Sequence, residues 1–226
     1  GRADVKKYVP HRRAGEKLQI LSVVNFKGGS GKTTTAAHLA QHLALTGHRV
    51  LAIDLDPQAS LSALHGIQPE LDKNLSLYEA LRYDAERKPI TQVIRPTNFP
   101  GLDIVPANLE LQEYEYDTPL AASNRASPDG RLFFTRITNA LKEVEDRYDI
   151  VVIDCPPQLG YLTLTALTAS TSVLITIHPQ MLDVMSMSQF LLMLGNFVKS
   201  IRKSGAPVKS DWLRYLITRY EPTDVP

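Results

Sequence analysis

Cysteine is almost absent from this chain: Cys155 is the only one in 226 residues. An internal disulfide is therefore excluded, and a cysteine-rich metal site with it. A dominant charge sign is missing too. The 25 Lys and Arg residues against 24 Asp and Glu leave a formal net charge of +1. The protein is thus not coated in positive charge, and any nucleic-acid contact has to come from a local patch. No apolar run approaches the roughly 20 residues that a membrane helix needs, and no signal peptide opens the sequence. Internal repeats and low-complexity tracts are lacking as well. With 43% hydrophobic and 22% charged residues, the expectation is a cytoplasmic globular protein with one large domain and a sizeable core.

What is present is an alternation of apolar runs and helical patterns. Residues 1–17 are polar and basic (Lys6, Lys7, His11, Arg12, Arg13) and read as a linker. Strands are predicted over Leu18–Asn25, Arg49–Leu55, Leu102–Val105, Asp149–Asp154, Ser172–His178 and Trp212–Tyr220. Helices are predicted over Thr33–Leu45, stopped by Gly47, over Tyr161–Ala169 and over Val184–Lys203. A longer helix is predicted over Asp129–Arg147, with Leu132, Phe133, Ile137, Leu141 and Val144 on one face. Ser76 and Glu79 have capping-box spacing, and Asn108 is placed to cap a further helix. Continuous apolar strands alternating with helices predict an α/β fold: a doubly wound, mostly parallel sheet with helices on both faces. In such sheets ligands bind at the carboxyl ends of strands.

The first strand ends in Lys27-Gly28-Gly29-Ser30-Gly31-Lys32-Thr33-Thr34. Glycines let the backbone wrap round phosphates, and the following helix presents its positive N-terminus. Lys32 is placed for the β- and γ-phosphates of ATP, and the Thr33 hydroxyl for Mg²⁺. The usual phosphate-loop pattern wants a glycine where Phe26 stands, and offers nothing matching the second lysine, Lys27. The second strand ends in Asp54-Leu55-Asp56-Pro57-Gln58, and a later one in Asp154-Cys155-Pro156-Pro157. Carboxylates there can position an attacking water or the metal shell, since phosphoryl transfer needs chiefly positioning and charge neutralisation. Cys155 reads as a packed small residue.

The run Lys-Gly-Gly-x-Gly-Lys-Thr resembles the deviant Walker A motif of the ParA/MinD class of ATPases. The resemblance implies that Lys27 reaches ATP held by a partner subunit, favouring a nucleotide sandwich dimer. It implies Asp56 as the hydrolysis residue with Asp54 in support beside the metal, and Asp154 as the Walker B carboxylate for Mg²⁺. The expected domain is a P-loop ATPase over 18–226, truncated at both ends, since Gly1 is no natural start and Pro226 follows directly on a strand-like run.

Longer stretches are similar to the RepA plasmid-partition ATPases of RepABC-type replicons. They include Ala52–Ser62, Thr97–Asp103, His178–Met187 and Tyr215–Pro222. That family implies ATP-dependent homodimers that bind DNA without sequence preference, act with a centromere-binding partner protein, and sit on nucleoid or plasmid. It also implies that Thr218 and Arg219 approach the adenine. Lys199, Arg202, Lys203, Lys209 and Arg214 are the candidate DNA contacts. Two rival functions are a P-loop biosynthetic ATPase, which would need a metabolite pocket, and a MinD-like membrane-surface switch. The second would need a C-terminal amphipathic basic helix, and none is present in the sequence. His38, His42 and His48 read as surface or packing residues.

Overall fold

The computed structural model describes residues 11–13, 15–25, 28–68, 75–124, 132–179, 181–203 and 210–219. Their strands form one sheet. Gln19–Val24 (β1), Val50–Asp54 (β2), Leu102–Val105 (β4), Ile150–Asp154 (β5), Ser172–Ile177 (β6) and Trp212–Ile217 (β7) run parallel. The two-residue strand Arg95–Pro96 (β3) adds an antiparallel edge. The order is β3-β4-β2-β5-β1-β6-β7. The chain works outward from β1 to β2 and β4, returns to insert β5, then continues on the far side of β1. That reversal beside β1 is where an open α/β sheet leaves a crevice for ligand.

Helices cover both faces because the central strands bury both sides: every residue of β2 is buried, as are the last four of β5. On one face lies Lys32–Leu45 (α1). Its buried stripe is Ala36, Ala37, Ala40 and Ala44, packed on Val23, Val50, Ala52 and Val152. Small residues on that stripe let the helix axis come close to the sheet. The other face carries Leu77–Leu81 (α3), Glu113–Ser123 (α4), Arg136–Lys142 (α5) and Tyr161–Ala169 (α6) over Leu51, Ile53, Val151 and Ile153. A short helix, Ser60–Leu64 (α2), follows β2, and Met181–Lys203 (α7) joins β6 to β7.

Two expectations are revised. The helix expected over Asp129–Arg147 is, among its described residues, two 3₁₀ turns (Phe133–Thr135 and Glu145–Arg147) flanking the short α5. Ser76 caps α3 by accepting from the Tyr78 amide, but Glu79 pairs with Arg82 at 3.3 Å. His11 and Arg12, from the segment expected as a linker, bond to the sheet. Asp149, at the foot of β5, accepts from His11 Nδ1 (2.9 Å), the Arg12 amide (2.8 Å) and the Arg49 guanidinium (2.6 Å). Burial alone would raise the Asp149 carboxyl, but these bonds outweigh it and hold it well below the usual range.

Candidate active site

Strand register assembles the site. β5 lies between β1 and β2, so Asp154 stands beside Asp54 on one flank and Val23 on the other. The loop after β1 turns into α1 through Gly29 and Gly31, both at positive φ (81° and 75°) that only glycine adopts without strain. A Cβ at Gly28 or Gly29 would meet nothing within 4 Å, so the loop is an open cradle. Gly31 caps α1 with no side-chain bond, and the first turn carries no acidic residue. The helix dipole and amides are thus offered to an external anion.

Lys32 is the buried cation of the site. Its Nζ lies 2.6 Å from Asp154 Oδ1, 3.4 Å from Thr33 Oγ1 and 4.0 Å from Asp56 Oδ2. Burial raises the Asp154 carboxyl above its ordinary value, with Lys32 and the Thr33 hydroxyl acting in the opposite sense. Among the described residues, Asp154 Oδ2 is buried with no hydrogen-bond partner. An orphaned carboxylate oxygen is costly unless something else meets it. Asp54 lies beside Asp154 at the strand ends. Its Oδ2 accepts from the Ser62 amide (2.8 Å) and hydroxyl (2.7 Å), and Oδ1 from the Asp56 amide (3.2 Å). Burial, then the neighbouring Asp154, pushes it up to about 7. It therefore fixes α2 and the turn bearing Asp56. Asp56 accepts from the Gln58 amide through Oδ1 (3.0 Å).

Asn25, Gly28, Gly29, Gly31, Lys32, Thr33, Thr34, Asp56, Pro157 and Arg219 line an open cavity of about 290 Å³. Arg219, itself at φ 52°, thus borders the phosphate loop. Thr218 is also turned to the loop: its hydroxyl donates to the Ser30 carbonyl at 2.7 Å. Lys27 and Phe26 lie outside the described residues.

Two features escaped sequence reasoning. Asn25 donates to Ser30 Oγ (2.7 Å), which bonds Thr176 Oγ1 (2.8 Å), so the loop is tied to β6. The only sequence signal was an Asn and a Ser inside the motif itself. Glu115 bonds the start of α6, 46 residues away, and no local pattern announces it. Cys155 is buried, its thiol pushed up to about 12 by burial.

Among the described residues no three His, Cys, Asp or Glu side chains converge as metal ligands. Thr33 Oγ1 and the orphaned Asp154 oxygen still suit Mg²⁺, which binds through one or two carboxylates, waters and substrate phosphates. A parallel sheet with this loop, lysine and strand-end aspartates defines a P-loop nucleotide-binding protein of the ATPase type. A family model described as an AAA domain matches residues 18–205. The chain belongs to that family, within its ParA class and close to the RepA proteins.

A Sinorhizobium fredii protein with the provisional name replication protein A is 77% identical over all of this chain and 56% of its own length. The chromosome partitioning protein ParA of Myxococcus xanthus is 38% identical over 76% of this chain and 56% of its own. The chain thus spans about half the length of these curated relatives. Among solved structures, cobyrinic acid a,c-diamide synthase of Mycobacterium smegmatis, with an ATP analogue and magnesium, is 29% identical. Its TM-score is 0.75, covering 92% of this chain and 77% of that one.

Proposed function

We propose that this chain is the ATPase part of a DNA-partition switch. It binds Mg-ATP at the cradle, dimerises around the nucleotide, holds DNA non-specifically in that state, and hydrolyses ATP to let go. A centromere-binding protein is the proposed partner, and the nucleoid or plasmid in the cytoplasm the proposed location. The observation that carries the nucleotide reading is the buried Lys32–Asp154 contact beside an unpartnered Asp154 oxygen, at the edge of an open glycine cradle. Partition is favoured over biosynthesis by the ParA relative at 38% identity, against 29% for the synthase. Among the described residues no helix is long and apolar enough to cross a membrane.

In this reading Lys32 leaves Asp154 for the β- and γ-phosphates, and the α1 N-terminus and loop amides hold the remaining oxygens. A bound Mg²⁺ would neutralise phosphate charge, held by Thr33 and Asp154. Asp56, fixed by Asp54 through the turn, positions the attacking water. Lys27 reaches across to the partner's nucleotide, and Thr218 supports the loop while Arg219 closes the cavity. Lys199, Arg202, Lys203 and Arg214 are exposed on α7 and β7 and are the proposed phosphate contacts on DNA; Lys209 lies outside the described residues.

The experiment is a comparison of Asp56→Ala with Asp154→Ala. Phosphate release should fall far in both, about a hundredfold for a lost water-positioning group. ATP affinity in the presence of Mg²⁺ should survive in Asp56→Ala and drop in Asp154→Ala. Equal affinity losses would make Asp56 part of the metal site, and normal turnover in Asp56→Ala would remove it from catalysis.

A further inference from the structure

Helix α6 begins where the loop leaving Asp154 ends, and its N-terminus has no cap of its own. Gly160 occupies the cap position and supplies no side-chain bond. The first two amides are instead met from α4. Tyr161 N donates to Glu115 Oε2 at 2.8 Å, and Leu162 N to Glu115 Oε1 at 2.9 Å. A carboxylate at that position meets both amides and the positive end of the helix dipole.

Gly160 fits the same account. Its φ of −96° and ψ of −171° are open to any residue, so the backbone does not demand glycine. Space does: a Cβ there would lie 2.4 Å from Glu115 Oε1 and 2.7 Å from Oε2. A side chain at 160 and the Glu115 carboxylate cannot both be in place.

The loop so held is a wall of the site. Pro157 borders the phosphate cavity. On its other side, Pro156, Pro157 and Gln158 line a second cavity of about 330 Å³ together with Asp56, Gln58 and Glu115. Within the loop the Gln158 carbonyl accepts from Thr163 Oγ1 at 2.6 Å, which ties it to α6. Displacing the α6 N-terminus would therefore shift the wall facing Asp56, whereas Lys32 and Thr33 are carried by α1 and not by that loop.

We propose, resting on the ATPase reading above, that Glu115 is a positioning residue for hydrolysis. It latches the segment between Asp154 and α6 so that the wall beside Asp56 keeps the geometry the attacking water needs. The latch acts on turnover and leaves nucleotide affinity alone.

The test is a double-mutant cycle on the full chain with Glu115→Ala, Gly160→Ala and both together, reading kcat, KM and amide exchange at Tyr161 and Leu162. Each single change should lower kcat by about tenfold, as a small misplacement of reacting groups does. KM should stay within about twofold, because the cradle is untouched. Exchange at the two amides should quicken in both single variants. The double variant should be no slower than Glu115→Ala, since the new methyl then enters space the carboxylate has left. Glu115→Gln keeps one acceptor oxygen and should fall between wild type and Glu115→Ala, which covers the case of a poorly folded alanine variant. Wild-type kcat in Glu115→Ala, a loss that appears in KM, or losses that multiply in the double variant would each overturn the latch. A wild-type chain that never hydrolyses ATP would sink the ATPase reading, and unchanged exchange at Tyr161 and Leu162 would still decide against the latch.

Discussion

Lys32 and Lys27 are five residues apart and are expected to fail differently. Lys32 is buried against Asp154 and lines the cradle cavity. Lys32→Ala should cost ATP affinity about one to two orders of magnitude, the worth of charged hydrogen bonds of about 1.5–3 kcal/mol. Lys27→Ala should keep affinity and lose ATP-driven dimerisation. Calorimetric titration and light scattering with ATP separate the two. A second residue-scale expectation concerns pH. The folded state holds a proton on Asp54 up to about pH 7, whereas an unfolded aspartate gives it up near pH 4. Between those values the native state binds more protons, so stability should fall as pH rises from about 4 to 7. Asp54→Asn should flatten that slope in thermal melts, and an unchanged slope would contradict the burial argument. The motif residues were legible because their spacing is local. The partners of Asp54 were not, since the Ser62 hydroxyl that occupies it was one polar residue among several after the strand.

Strands were the most legible elements, because two buried faces demand continuous apolar runs such as Ile150–Asp154 and Val50–Asp54. The helix between α4 and β5 was misjudged because the apolar spacing of Phe133, Ile137, Leu141 and Val144 suits one continuous helix, yet the chain tightens into 3₁₀ turns at both ends. Strand order was not readable either: nothing local says that β5 inserts between β1 and β2. That insertion is what brings Asp154 to the loop. The end of β7 makes its own contribution, since Thr218 Oγ1 donates to the Ser30 carbonyl and, at 3.3 Å, to Ile177 O. Thr218→Val preserves shape and removes that support. ATP affinity should weaken by about fivefold, matching about 1 kcal/mol for one hydrogen bond. Unchanged affinity in calorimetry would reduce the contact to a strand-end bond.

At the scale of the molecule the nucleotide cradle and the docked His11–Arg12 segment sit at opposite ends of the strands: Asp154 closes β5 and Asp149 precedes it. The proposed DNA contacts lie on α7 and β7, on the far flank of β1 from Asp56. In the proposed switch, a formal charge of only +1 would make DNA binding depend on that patch and on its doubling in a dimer. Retention should weaken with salt with a log–log slope of about −0.9 per phosphate neutralised, and unrelated duplexes should be held alike.

The central claim is that nucleotide state gates DNA binding. The most direct measurement is retention of a random duplex by the protein with ADP, with ATP and with a non-hydrolysable ATP analogue, at one salt concentration. Strong and lasting retention with the analogue, transient retention with ATP and little with ADP is the predicted result. Equal retention in all three states would contradict it.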